Sequence, residues 1–328
     1  MSDLRSASGD QRPLVIQTEH LDEACAAWLA ERARVERCGS EEEPRFSRLL
    51  EQAEGLAIRT YTKVDAALLA RAPRLRVVGR AGVGVDNVDL AACAARGITV
   101  VNTPAANVRA VVEYVTAVLF DAIRPRVFID RALDVRDWKT LRSELIAPKQ
   151  ASELTLGIYG LGQIGSQVAR VGAALNMRVI YHDLVEIPSE RRHGAVPVSR
   201  DELLASADVL TIHVDGRRSN RGLIGAEALS RLKPDVVLIN AARGFVIDAA
   251  AMAEFLRAHP AATAILDVHD PEPFGGDYPL LGLPNARLSP HIAAATAPAH
   301  RNMSWVVRDI WRVLCGEAPV FPARPEPG

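Results

Sequence analysis

The stretch GIYGLGQIGSQVA, residues 157–169, decides the fold. Its first residues close an apolar run, LTLGIYG (154–160), that reads as a buried strand, and it continues as a segment of helical period. Between the two stand Gly160, Gly162 and Gly165 in the order GxGxxG. Each glycine has its own reason: the first permits a tight turn, the second lets backbone approach a pyrophosphate, and the third lets helix and strand pack closely. The helix that follows points unpaired N–H groups and a positive dipole end at the same place. A second strand, RVIYHD, ends at Asp183, close to the roughly 20 residues beyond the last glycine at which an acid meets a ribose. A carboxylate there accepts from a 2′-hydroxyl and repels a 2′-phosphate, so NAD is expected rather than NADP.

Outward from this unit, short apolar runs alternate with helical segments along nearly the whole chain, which is the pattern of α/β structure with parallel strands. Before it lie strand candidates at 14–17, 56–60, 75–80 and 98–102, with helices at 64–70 and 89–96. After it come strands at 178–183, 209–214, 236–241, 264–268 and 286–290, with helices at 201–207, 226–232 and 249–258. A long helical stretch from Val108 to about Trp138, interrupted at Pro125, reads as a bridge between domains. A final helix, about Ala299 to Leu314, has no strand left to join in the second unit and is expected to return to the first. The proline-rich tail PVFPARPEPG reads as irregular.

Bulk properties narrow the function. The 328 residues allow two domains, and 39 Lys and Arg against 40 Asp and Glu leave no field to attract nucleic acid or an acidic membrane. The partner is expected to be a small molecule. The polar N-terminus has no apolar core, and no run approaches the length of a membrane span. Cys25, Cys38, Cys93 and Cys315 are scattered without a CxxC pair, which suits a reducing cytoplasm and offers no metal site.

Three later strand ends carry polar residues suited to a hydroxy or keto acid, which needs a cation for its carboxylate, an acid/base for its proton, and an orienter for that base. Arg243 follows VVLINA, Glu272 follows AILDV, and His291 follows ARLSP. Such strand ends are where open α/β sheets bind ligands. Of the other histidines, His20, His193, His259 and His300 read as surface or helix-packing residues.

At this point GRAGVGVDNVDL (79–90), NTPAAN (102–107), GLGQIG (160–165), INAARG (239–244), LDVHDPEP (266–273) and SPHIAAAT (289–296), in this order, closely resemble the D-isomer-specific 2-hydroxyacid dehydrogenase family, and in particular its phosphoglycerate dehydrogenases. The resemblance implies two doubly wound parallel-sheet domains, a Rossmann nucleotide-binding domain (108–291) inserted in a flavodoxin-like substrate domain (1–107 and 292–328). It implies Arg243, Glu272 and His291 as the catalytic set, with His291 protonating a keto oxygen, Glu272 supporting the imidazolium and Arg243 holding carboxylate and keto oxygen. It further implies Gln163 and Ile164 along the pyrophosphate, Asp267 at the nicotinamide amide and Ala241 in the cofactor cleft. Arg59, Arg80, Val83, Gly84 and Asn107 would serve the substrate.

Phosphoglycerate is the first expected substrate, glyoxylate or hydroxypyruvate the alternative, and a homodimer with contacts in Val108 to Trp138 the expected assembly. A cofactor-gated binding protein like the corepressors of this fold is a further alternative, disfavoured by the short tail. Two departures stand out. Where the family reads His, any residue, Pro, Leu, this chain has His213, Val214, Asp215, Gly216, so the loop beneath the cofactor is expected to differ. The chain also ends near the close of the catalytic core, so appended regulatory domains, and serine feedback through them, are not expected.

Overall fold

The computed structural model describes residues 11–124 and 126–323. It divides into two compact units, Met1–Asn107 with Ala295–Gly328, and Val108–Ala294. The strands of the first unit are β1 (Leu14–Gln17), β2 (Arg34–Arg37), β3 (Gly55–Ile58), β4 (Val77–Arg80) and β5 (Thr99–Val101). Those of the second are β6 (Thr155–Tyr159), β7 (Arg178–His182), β8 (Val196–Pro197), β9 (Val209–Ile212), β10 (Val237–Asn240), β11 (Thr263–Leu266) and β12 (Ala286–Leu288). A last strand, β13 (Pro322–Ala323), belongs again to the first unit.

The first sheet has the order β13-β5-β4-β3-β1-β2. Its parallel part runs 2-1-3-4-5, the flavodoxin-like arrangement. The second, wholly parallel, runs β12-β11-β10-β9-β6-β7-β8 and so has the dinucleotide-binding order 3-2-1-4-5-6 with one strand added. β6 lies at its centre and is buried throughout. Leu156 and Ile158 join the core on one face and Tyr159 the core on the other, so the strand reads as a continuous apolar run because helices cover both faces. Gly157 lets the helix Arg200–Ser206 close on the sheet: a Cβ there would stand 2.7 Å from that of Ala207, just past the helix.

Several elements depart from the sequence reading. β2 is missing from it because its residues, Arg-Val-Glu-Arg, carry charge, which an edge strand paired only with β1 tolerates. β8, ending in proline, is likewise an edge. The stretch from Val108 forms two helices, Val108–Ile123 and Val135–Glu144, with non-helical chain at 126–134; the expected break at Pro125 lies outside the described residues. The final helix is also two, Ala297–Ser304 and Val307–Leu314, since the N–H groups of Val306 and Arg308 bond three residues back and tighten the turn between them.

The tail is partly regular where irregular chain was expected. Pro322 and Ala323 pair antiparallel with Val101 and Val100. The cause is Asp309, 5% exposed, whose carboxylate accepts from the N–H groups of Val320 at 3.0 Å and Phe321 at 2.8 Å. Among the described residues no helix is long and apolar enough to cross a membrane.

Candidate active site

The three glycines of the β6 turn separate by the space around them. Gly160 has φ 91°, and a Cβ on it would stand 2.8 Å from the carbonyl oxygen of His213. A Cβ on Gly165 would overlap the carbonyl of Gly160. Gly162, the N-cap of the helix Gln163–Ala174, is different: nothing lies within 4 Å of where its Cβ would be. That open cradle, with exposed Gln163 and half-buried Ile164 on the first helical turn, fits a pyrophosphate on the helix N-terminus. Asp183, just past β7, is drawn to the same turn, its carboxylate accepting from Leu161 N at 2.7 Å and Val185 N at 3.1 Å. Each oxygen keeps acceptor capacity for a ribose hydroxyl. Leu184 and Val185 beside it are strongly exposed, 73% and 65%.

Arg243, Glu272 and His291 stand at the carboxyl ends of three neighbouring strands, β10, β11 and β12. The Arg243 turn is shaped by Asn240, 1% exposed, which accepts from Ala242 N at 3.0 Å and donates to the Arg243 carbonyl at 2.9 Å. Gly244 then lets the chain meet the backbone of His269, where a Cβ would collide. Thus the arginine turn and the loop carrying Glu272 are in contact. Ala241 lies half-buried at the start of that turn.

Glu272 Oε2 is 2.8 Å from His291 Nδ1, and its Oε1 accepts from His269 N at 2.7 Å. Burial pushes the Glu272 carboxyl up, but the bonds from His291 and the His269 amide, with the charge of both imidazoles, outweigh it and leave the group below its ordinary value. A neutral His291 therefore donates through Nδ1 and leaves Nε2 as its exchanging nitrogen. The ring is 39% exposed and so open to a substrate.

His291 holds φ 56°, a left-handed conformation unusual for a residue with a side chain. Asp267 enforces it. The Asp267 carbonyl accepts from His291 N at 2.8 Å, while its carboxylate accepts from Ile292 N at 2.8 Å, Ala293 N at 2.7 Å and the Ser289 hydroxyl at 2.7 Å. Asp267, expected from sequence at the nicotinamide amide, is 1% exposed with its oxygens bonded to the turn. Four donors on one buried residue over-determine the strained backbone. Sequence reasoning also missed His269, 7% exposed, whose Nε2 meets the Ser289 carbonyl at 2.9 Å and whose Nδ1 meets the Tyr278 hydroxyl at 3.3 Å. Its place in DVHDPEP, two residues after Asp267, was the available signal.

The departure at 213–216 is now concrete. Asp215 binds its own loop, accepting from Arg217 Nε at 2.7 Å and Asn220 Nδ2 at 3.1 Å; the Arg217 bond holds its carboxyl low, with Arg243 adding positive charge. His213 Nε2 lies 2.9 Å from the Thr211 hydroxyl, and burial presses its ring down to about 3.

In the first unit the carboxyl ends of β3 and β4 carry Arg59 and Arg80. The Arg80 guanidinium folds over Gly82, φ 149°, where only a hydrogen fits. Asn102 Nδ2 donates to the Val83 carbonyl at 2.6 Å, turning the segment that includes Gly84. Asn107 Oδ1 is enclosed with no hydrogen-bond partner. Arg59 is not a loose surface charge: its Nη1 lies 2.6 Å from His300 Nε2. His300, read from sequence as a surface or helix-packing residue, is a partner of Arg59.

A glycine cradle on a dinucleotide-type sheet, with an imidazole–carboxylate pair and a guanidinium at neighbouring strand ends, has the make-up of a nicotinamide-dependent dehydrogenase. Residues 116–293 match the family model described as D-isomer specific 2-hydroxyacid dehydrogenase, NAD binding domain. The chain is 38% identical over 257 residues to the D-3-phosphoglycerate dehydrogenase of Archaeoglobus fulgidus, covering 78% of this chain and 48% of that one. It is 33% identical over 307 residues to the glyoxylate reductase of Aeropyrum pernix, covering 91% and 92%. A D-lactate dehydrogenase from Aquifex aeolicus, solved with NAD and lactic acid, superposes with a TM-score of 0.80 at 26% identity over 93% and 96% of the two chains. The chain belongs to the D-isomer specific 2-hydroxyacid dehydrogenase family. It spans about half the length of the phosphoglycerate dehydrogenases it matches.

Proposed function

We propose that this protein interconverts a small D-2-hydroxy acid and its 2-keto acid with NAD(H), and that its substrate carries a second charged group, as D-3-phosphoglycerate does. The observation that carries the reading is the 2.8 Å pair of Glu272 and His291, with His291 pinned in a left-handed turn and its Nε2 left for exchange. Bound NAD(H) supplies or accepts the hydride. His291 gives the proton to the keto oxygen in reduction and takes it in oxidation, Glu272 steadies the imidazolium, and Arg243 holds carboxylate and keto oxygen through its planar fork. Gly160, Gly162, Gln163, Ile164 and Gly165 would hold the pyrophosphate, Asp183 the ribose, and Ala241 would border the cofactor.

Arg59, Arg80, Asn107 and the backbone at Val83 and Gly84 are the proposed substrate residues of the first unit. Arg59 favours phosphoglycerate, because a half-buried guanidinium bonded to an imidazole keeps donors for a phosphate. The similarity to a glyoxylate reductase along nearly its full length favours the second reading, reduction of glyoxylate or hydroxypyruvate. A steady-state panel of D-3-phosphoglycerate, hydroxypyruvate, glyoxylate and D-lactate with NAD(H) and NADP(H) separates the two. Arg59→Ala lowers kcat/KM for phosphoglycerate far more than for glyoxylate under the first reading; equal losses overturn it. Preference for NADP would overturn the role of Asp183.

We further propose a homodimer built on the segment after Ile123. Val127, Phe128, Ile129, Val135, Trp138 and Ile146 are all exposed, and the helix Val135–Glu144 buries no residue against its own chain. An apolar series on an unpacked helix is the mark of a protein interface.

A further inference from the structure

Arg59, His300 and His20 stand together in the first unit. Arg59 Nη1 lies 2.6 Å from His300 Nε2 and 3.3 Å from the His20 carbonyl, and the His20 and His300 rings stack at 5.3 Å with 20° between their planes. Because a guanidinium can only donate, His300 Nε2 holds a lone pair and the ring is neutral with its proton on Nδ1. The carboxylates nearby are occupied. Glu19 accepts from four successive backbone N–H groups, Arg59 to Thr62, at 2.8 to 3.1 Å. Asp22 caps the helix Glu23–Ala30 through Ala24 N at 3.1 Å and Cys25 N at 3.4 Å, and accepts from Arg301 at 3.4 Å. The guanidinium thus gives its bonds to an imidazole and a carbonyl, not to a carboxylate.

We propose that Arg59, His300 and His20 form the subsite for the substrate's second anionic group, a phosphate or other tetrahedral dianion, and that His300 takes up a proton when the anion binds. This rests on the reading of Arg59 as a substrate residue and names its partners. Burial first, then the positive charge of Arg59 and His20, hold His300 below its ordinary value against the opposing charge of Asp22. With Arg59 bonded to its Nε2, the imidazole is neutral. A dianion held by Arg59 reverses the balance: the imidazole releases Arg59, gains a proton, and becomes a second donor to the same anion.

Sulfate tests this without turnover and without titrating itself. Calorimetry in two buffers of different ionisation enthalpy is expected to show proton uptake by the wild type near neutral pH, with affinity strengthening as pH falls. His300→Gln keeps an acceptor for Arg59 but cannot titrate. It is expected to lose the uptake and to bind sulfate and D-3-phosphoglycerate about tenfold more weakly, while D-glycerate binding stays unchanged. Sulfate binding by the wild type without uptake or pH dependence, or uptake persisting in His300→Gln, overturns the subsite. Loss of both confined to Arg59→Ala would retain Arg59 as a substrate residue and remove His300.

Discussion

The hydroxyls of Tyr114 and Ser289 stand 2.6 Å apart, and because Ser289 gives its one hydroxyl proton to Asp267 at 2.7 Å, Tyr114 is the donor. The helix Val108–Ile123, which carries Tyr114, is thereby linked to the carboxylate that shapes the His291 turn. Tyr114→Phe removes one bond and is expected to cost about 1 kcal/mol. Asp267→Asn strips the turn of its charged acceptor and is expected to cost about 2–4 kcal/mol. Both should lower kcat, Asp267→Asn much the more, with smaller change in NADH affinity. Thermal unfolding, kcat and NADH titration check this together; an Asp267→Asn protein less stable yet with full kcat would show that the clamp does not position His291.

The Glu272–His291 pair predicts two pH effects. In the reducing direction His291→Asn is expected to lower kcat about 10²- to 10⁴-fold. Glu272→Gln removes the charge that favours imidazolium, so its deficit in kcat for reduction is expected to widen along the basic limb of the rate profile. A deficit that does not widen would leave Glu272 with no part in the proton transfer.

Stability gives the second effect. Glu272 is held below its ordinary value in the folded state, so its contribution is complete above the unfolded value of 4.5 and is lost as pH falls through the folded one. Urea midpoints measured from pH 7 to pH 3 should fall less steeply for Glu272→Gln than for the wild type.

The glycine turn predicts opposite outcomes from one substitution at neighbouring sites. Gly165→Ala drives a methyl into the Gly160 carbonyl and is expected to destabilise by about 1–3 kcal/mol. Gly162→Ala meets no protein atom, so stability is retained while NADH binding weakens about tenfold. Unchanged NADH affinity in Gly162→Ala would place the pyrophosphate elsewhere.

If the segment after Ile123 forms the dimer contact, Phe128→Asp, altering a side chain 86% exposed, leaves the fold intact. Association is expected to weaken by about 2 kcal/mol or more, roughly thirtyfold. Light scattering coupled to size exclusion reads the change directly, and a wild type that elutes as a monomer refutes the contact.

The amino-acid sequence alone determined the class of the fold and marked the candidates for its chemistry. The central strands β6, β9, β10 and β11 are buried on both faces and so write themselves as apolar runs, and the glycines are legible because each answers to local geometry: a turn, a cradle, a close approach. Arg243, Glu272 and His291 could be marked as candidates because a strand end is a place in the chain as well as in space. The tertiary structure alone decided which residues those side chains meet. Charged β2 is a strand only because β1 is there to pair with it, and the tail becomes β13 only because Asp309 receives its N–H groups. Asp267 proved to be the clamp of the His291 turn, and His300, 241 residues from Arg59, its hydrogen-bond partner. Such pairings depend on atoms brought within 3 Å by the packing of distant segments, and no periodicity or spacing along one chain encodes that distance.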